Sequence, residues 1–392
     1  MINERVVIVG AGQGGFQAAI SLRQEGFKGQ ISLIGSEPGL PYQRPPLSKA
    51  FLKNGELDKL TLRPEGFFET QTITLLTGHT VEAIDRSAQV VRLDNGPVSY
   101  DKLIIATGTR NLIPPIPGVE RTLGLRTLED ARRLRAALNV PQHVVVIGGG
   151  FIGLEFAAVA STLGHKITVA EAAPRLMSRV VSPQMSDRFA DLHKRLGNRL
   201  LLGHAASDVS EADVTLQDGS TIKADLVLLA AGVVPNSELA AEAGLEVQNG
   251  IVVDTHLRTS DPNIYALGDC ASFPNPRGGD LVRLESVQAA SDHARLIAKQ
   301  IAQSSSEVYQ AVPWFWSDQA EYKLQIVGLA TQEDDSVAVG DDTVLRFSNN
   351  LLTAVETINN TKVHMQARRV LGSSVPISRD KLVEQNYMLI AE

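Results

Sequence analysis

The chain has 392 residues, a formal net charge of -7, 43% hydrophobic and 21% charged residues, and one cysteine, Cys270. That length suits two or three domains, and mild acidity leaves no basic footprint of the kind nucleic-acid binders carry. A lone cysteine excludes an intramolecular disulfide and a four-cysteine metal or cluster site within one chain.

In chain order, Val6–Val9 is a short apolar run ending in glycine and predicts a buried parallel strand. A helix is expected from Phe16 to Glu25, stopped by Gly26, and Ile31–Ile34 predicts the next strand. This is a βαβ opening. The prolines at 114, 115 and 117 mark a linker. The same grammar then returns: a strand at Val144–Ile147, a glycine turn, a helix from Gly153 to Leu163, and a strand at Lys166–Ala170. A second junction lies near Gly232–Asn236, and Ser304–Ser306 reads as a short loop. Beyond Trp314, strand-like segments at Lys323–Leu329, Ser336–Val339, Val344–Phe347 and Leu352–Ile358 predict an antiparallel sheet followed by a terminal helix. The longest clean apolar stretch, Leu226 to Val234, is far short of the ~20 residues of a membrane helix. With no signal-peptide pattern at the start, a cytoplasmic location is expected, with neither membrane nor nucleic acid as partner.

Two turns carry the chemistry. Gly10-Ala11-Gly12-Gln13-Gly14-Gly15 and Gly148-Gly149-Gly150-Phe151-Ile152-Gly153 both match G-x-G-x-x-G between a strand and a helix. The first glycine makes the tight turn, the second admits a pyrophosphate to the backbone, and the third lets helix and strand pack closely. The pyrophosphate then sits on unpaired N–H groups at the helix N-terminus. The acidic residue that usually binds the ribose is replaced by Gly35 in the first unit, so Ser36 or Glu37 must serve; Glu37 otherwise reads as a solvated turn residue. In the second unit Glu171 follows its strand directly. A carboxylate there accepts ribose hydroxyls and repels a 2′-phosphate, favouring NADH over NADPH, although Arg175 and Arg179 lie just beyond. Two dinucleotide sites in one chain suggest a bound flavin dinucleotide and an exchanging nicotinamide that delivers a hydride to it.

Further segments then bring in a family. Pro41-Tyr42-Gln43-Arg44-Pro45-Pro46-Leu47-Ser48-Lys49, Leu103-Ile104-Ile105-Ala106-Thr107-Gly108, Ile264-Tyr265-Ala266-Leu267-Gly268-Asp269-Cys270, Arg283-Leu284-Glu285-Ser286-Val287 and Pro313-Trp314-Phe315-Trp316-Ser317-Asp318-Gln319 span nearly the whole chain. Together they resemble the FAD-dependent ferredoxin reductases of bacterial oxygenase systems, the family of putidaredoxin, rhodocoxin and aromatic-ring dioxygenase ferredoxin reductases. The resemblance implies an α/β protein with two Rossmann-type dinucleotide-binding domains of glutathione-reductase type and an α+β C-terminal domain. An FAD domain is expected from residues 1–110 and 236–310, an NADH domain from 111–235, and a C-terminal interface domain from 311–392.

The resemblance also implies roles. For FAD these fall on Gly10, Gly12, Gly14, Gly15, Ser36, Glu37, Arg44, Lys49, the Val81 backbone, Ala106, Thr107, Gly108, Arg126, Gly268 and Asp269. Val287 would begin a helix aimed at the flavin pyrimidine ring, and Trp314 and Trp316 resemble the aromatic pair that closes the site. For NADH the positions are Gly148, Gly149, Gly150, Ile152, Gly153, Glu155, Glu171, Arg179, Gly232 and Glu285. Lys49 and Glu155 look like the family's lysine–glutamate pair beside the flavin. The plainer alternatives are a solvated loop lysine, a first-turn helix carboxylate, a helix-capping Asp269, and ordinary core packing for the tryptophans.

The thiol count separates this chain from disulfide reductases of the same fold, since neither Gly15–Glu25 nor Pro41–Lys49 contains a cysteine. Cys270 is expected to be a buried small hydrophobe. No metal site is suggested by the scattered histidines. The expected activity is therefore hydride transfer from NADH to FAD, then single electrons to an iron–sulfur ferredoxin, a ferredoxin–NAD(+) reductase reaction. Arg295 and Lys299 are expected to help dock that ferredoxin. A flavin NADH oxidase or quinone-type reductase, and a redox-sensing protein like apoptosis-inducing factor, are the competing readings.

Overall fold

The computed structural model describes residues 4–276 and 278–390; the extreme ends of the first and last expected domains lie outside them. The chain divides into two compact units, Met1–Arg44 with Leu57–Arg110 and Val233–Ala311, and Pro45–Glu56 with Asn111–Gly232 and Val312–Glu392. Pro45–Glu56, which the resemblance puts in the FAD domain, clusters with the second unit.

In the first unit a parallel sheet runs in the order Ile264–Ala266, Lys102–Ile105, Arg5–Val9, Gln30–Gly35, Ile73–Thr77. Arg5–Val9 is central, and its Val6, Val7 and Ile8 are all buried, which explains an apolar run without alternation. The following helix is Gln13–Gln24, three residues earlier at its start than the apolar pattern indicated. Gly26 ends it at φ +88°, a left-handed backbone that glycine adopts without strain. Helix Val287–Gln303 is capped by the Ser286 hydroxyl, which accepts the Ala289 N–H. Gly14 lies against it: a Cβ there would fall 3.4 Å from Ala290 Cβ and 2.4 Å from Leu267.

The second unit repeats the scheme. Its parallel sheet is ordered Arg199–Leu202, Lys166–Glu171, His143–Ile147, Leu226–Leu229. Helix Phe151–Thr162 is buried along most of its length, and Glu155 is the one ionisable side chain it carries. The C-terminal part forms an antiparallel sheet ordered Trp314–Gln319, Tyr322–Gly328, Leu351–Ile358, Thr343–Ser348, Asp335–Val339. Its first strand, Trp314–Gln319, was not among the expected segments, and the terminal helix proves to be two, Thr361–Gly372 and Arg379–Glu384. Among the described residues no helix is long and apolar enough to cross a membrane.

Candidate functional site: two dinucleotide cradles and a buried charge pair

The two glycine turns are built alike, each within its own unit. Gly10 and Gly148 both have φ +112°, and a Cβ on them would lie 2.2 Å from Ala106 O and 2.3 Å from Ala230 O. Gly15 and Gly153 press on the first glycine of their turn, with Cβ positions 1.8 Å from Gly10 O and 2.3 Å from Gly148 O. Gly12 and Gly150 differ from all of these. Their φ values are -73° and -83°, any residue can adopt them, and an added Cβ would meet nothing within 4 Å. Protein packing therefore does not require glycine there. Both are also N-caps with no side-chain hydrogen bond, so the first N–H groups of each helix await an acceptor. An open cradle at an uncapped helix N-terminus fits a dinucleotide pyrophosphate.

The two units differ by an exchange of bulk. In the first, Ala11 faces Gly35, whose Cβ would come within 2.7 Å of the alanine methyl. A carboxylate side chain at position 35 has no room there. Glu37 is not a merely solvated residue: it accepts Tyr42 Oη at 2.5 Å and Arg44 Nη2 at 2.6 Å. Ser36 beside it is exposed. In the second unit glycine stands on the turn, at Gly149, and the acid on the strand. Glu171 accepts the Gly149 N–H at 2.5 Å and the Ala173 N–H at 2.7 Å. The ribose-binding candidate is thus tied to the pyrophosphate turn. Arg175 donates to Ser178 O and Val181 O at 2.7 Å each, so it braces its own loop and is not placed to meet a 2′-phosphate. Arg179 is exposed and approaches Gly232, itself at φ +108°, to 3.6 Å from the position of a Cβ. Ile152, at 44% exposure, is uncovered at the start of its helix.

Other predicted residues gather in the first unit. Ala106, Thr107 and Gly108 follow the strand Lys102–Ile105. They are held by Asn236, whose side chain donates to Thr107 O and whose N–H donates to Gly108 O. Gly268 and Asp269 lie in a 3₁₀ turn capped by Leu267, so Asp269 is not a helix cap; it accepts Thr109 Oγ1 at 3.4 Å. Val81 starts a separate strand, Val81–Asp85. Val287 does begin its helix, and Glu285 is exposed and paired with Arg283 at 2.9 Å. Cys270 is fully buried, and burial pushes its thiol pKa up, against a nucleophilic role.

The second unit brings Lys49 and Glu155 together at 2.9 Å between Nζ and Oε1. Glu155 is not a first-turn residue of its helix. It is 3% exposed and accepts Ser48 Oγ at 2.5 Å, Ser317 Oγ at 2.8 Å and the Asp318 N–H at 3.3 Å as well. These donors meet the hydrogen-bonding needs of a side chain that would be costly to bury unpaired. Arg126 precedes the helix Leu128–Ala137, where Asp130 and Thr127 form a capping box. Trp314 packs on the C-terminal core, edge-on to His364 and under the Arg368 guanidinium at 4.9 Å, while Trp316 stacks obliquely on it at 5.7 Å. Arg295 pairs with Asp292 at 2.8 Å and Lys299 with Glu307 at 3.2 Å, both at the surface. Sequence reasoning missed Ser48, Ser317 and Gln319. The strand alternation of Trp314–Gln319 was the available signal, hidden by the two conspicuous tryptophans.

A family model described as pyridine nucleotide-disulphide oxidoreductase matches residues 4–294, and one described as reductase C-terminal matches 314–391. Rhodocoxin reductase of Rhodococcus erythropolis is 45% identical over 98% of this chain and 93% of its own length. The solved ferredoxin reductase for the CYP199A2 system from Rhodopseudomonas palustris superposes with a TM-score of 0.94 at 42% identity, covering 99% of both chains. A covalent putidaredoxin reductase–putidaredoxin complex gives 0.93 at 36% identity, covering 99% of this chain and 97% of that one. With two open dinucleotide cradles, no cysteine pair and this similarity along its length, the chain belongs to the pyridine nucleotide-disulphide oxidoreductase family, in its branch of FAD-dependent ferredoxin reductases.

Proposed function

We propose that this chain oxidises NADH and supplies single electrons to a small iron–sulfur ferredoxin serving an oxygenase, from a cytoplasmic location. The observation that carries the reading is the pair of equivalent cradles, Gly12 and Gly150 each open to a ligand, in a chain whose lone thiol is buried. One cradle serves FAD and the other NADH. Bound FAD supplies a two-electron hydride acceptor that can release electrons singly.

The residues of the chain bind and orient. Gly10–Gly15 hold the FAD pyrophosphate on helix Gln13–Gln24, and Glu37, braced by Tyr42 and Arg44, replaces the missing acid at Gly35 as acceptor for its ribose. Ser36, Val81, Ala106–Gly108, Arg126, Gly268, Asp269, Val287 and Trp316 are assigned to the same cofactor. Gly148–Gly153, Glu171, Arg179, Gly232 and Glu285 are assigned to NADH, and the Glu171 carboxylate disfavours a phosphate on the adenosine ribose. Lys49 and Glu155 are assigned as the charge pair that addresses the reacting rings, Lys49 favouring an electron-rich flavin. The functional division follows residues 1–110 with 236–310 for FAD, 111–235 for NADH and 311–392 for the C-terminal domain, whose sheet has a core of its own.

The test is anaerobic stopped-flow mixing of the FAD-loaded protein with NADH, then with iron–sulfur ferredoxins encoded beside it. Rapid bleaching by NADH followed by ferredoxin reduction is expected. Oxygen consumption that outpaces every ferredoxin would indicate an oxidase instead, and a persistent reduced complex with slow turnover would indicate a redox sensor.

A further inference from the structure

Glu155 stands at the end of a buried chain of side chains whose hydrogen-bond direction it dictates. A carboxylate can only accept, so Ser317 Oγ, 2.8 Å away, must donate its one hydrogen to Glu155 Oε1. Ser317 Oγ must then accept from its other neighbour, Gln319, whose Nε2 lies 3.1 Å away. With its amide nitrogen turned to Ser317, Gln319 presents Oε1 to His193 Nε2 at 3.0 Å. That oxygen needs a donor, so His193 carries its hydrogen on Nε2. Its Nδ1 is therefore an acceptor, and Asn198 Nδ2 is 2.9 Å from it. The Asn198 Oδ1 in turn accepts Ser161 Oγ. Every donor in the series points towards Glu155.

The series is dry: Ser317, Gln319 and His193 are all 0% exposed. Burial also lowers the His193 pKa, although its bond to Gln319 works the other way, consistent with a neutral ring having one hydrogen to place. The backbone explains the assembly. Strand Trp314–Gln319 alternates, so Phe315, Ser317 and Gln319 share a face. Phe151 and Glu155 are four apart on helix Phe151–Thr162 and share a face too; Phe151 meets Phe315 edge-on at 6.1 Å as Glu155 meets Ser317. His193 comes from helix Pro183–Arg195.

We propose that Ser317, Gln319 and His193 are positioning residues that hold Glu155, and through it Lys49, in one orientation for hydride transfer. This rests on the role assigned above to the Lys49–Glu155 pair. Aligned hydrogen bonds in a dry site polarise one another, so the far end of the series matters although it touches no cofactor.

The test uses the FAD-loaded protein with 15N-labelled histidine, the His193 resonance being assigned with His193→Gln. His193 is expected as a single Nε2–H tautomer. A Ser317→Ala variant is expected to lower the rate of flavin reduction by NADH roughly tenfold, the scale of a small misplacement of reacting groups, with KM for NADH unchanged, and Ser317→Thr, which keeps the hydroxyl, to restore it. Gln319→Leu is expected to break the series, mixing the His193 tautomers and slowing reduction as Ser317→Ala does. An Nδ1–H tautomer in the parent protein would overturn the proposal, because the series would then run away from Glu155. So would a Ser317→Ala variant that only melts earlier, at unchanged rate. Glu155→Gln separates the two levels: if it leaves hydride transfer intact while His193 shows the Nε2–H tautomer, the role assigned to the pair has failed and the positioning role falls with it, although the hydrogen-bond series itself is real.

Discussion

Acidification should destabilise the first unit through His293, and the size of the effect follows from its surroundings. The ring is wholly buried on helix Val287–Gln303, edge-on to Tyr309 at 4.4 Å and Phe273 at 4.7 Å. Nδ1 accepts the Gly268 N–H at 3.2 Å, so the hydrogen is on Nε2, which has no hydrogen-bond partner among the described residues. Desolvation lowers its pKa to about 3. The folded pKa thus lies below the unfolded value of about 6.5, and between the two the unfolded chain binds more protons. Stability is therefore full above the unfolded pKa and is lost as pH falls towards the folded one. From pH 7 to pH 5 this single group should cost about 2 kcal/mol. The assay is urea unfolding at both pH values, followed by hydrogen exchange of peptides from the first unit, for the parent and for His293→Gln, whose amide oxygen can still accept the Gly268 N–H. Other buried histidines, among them His193 and His364, contribute equally to both proteins. The variant should lose about 2 kcal/mol less on acidification; parallel losses in the two proteins would refute the assignment.

Gly12→Ala should fold normally yet bind FAD weakly, measured by retained flavin and circular dichroism, because its methyl enters only the cradle; Gly10→Ala should fail to fold, since its Cβ meets Ala106 O at φ +112°. Gly150→Ala should raise KM for NADH while leaving FAD content unchanged. Arg346→Met should destabilise the second unit by about 3–5 kcal/mol in denaturant titrations, because it strands Glu356, a buried carboxylate that also holds the Ser182 N–H and hydroxyl at the start of helix Pro183–Arg195. Replacing Arg346 and Glu356 together by apolar residues should recover much of that loss. Glu171→Ala should narrow the preference for NADH over NADPH, read as the ratio of kcat/KM values, and Arg175 should contribute little to that ratio because it is spent on backbone carbonyls.

The glycine turns, their strands and their helices were legible in the sequence because each depends on residues close together in the chain. A φ of +112° demands glycine wherever the turn occurs, and a buried parallel strand must be apolar throughout. The lone cysteine likewise removed a thiol relay by counting alone. The helix starts were read late because Gly12 and Gly150, which lack capping side chains, serve as N-caps. Other features belonged to the tertiary structure. Gly35 has no room for a side chain because Ala11, twenty-four positions earlier, fills its space. The expected docking cations Arg295 and Lys299 look free in sequence, and only folding pairs them with Asp292 and Glu307. Lys49, Glu155, Ser317 and His193 come from four separated segments, and only folding reveals that one carboxylate sets the tautomer of a distant histidine. Steric demands of the backbone are local and leave local residue patterns; the sharing of a buried charge among donors is non-local, so its pattern exists only once the chain has closed around it.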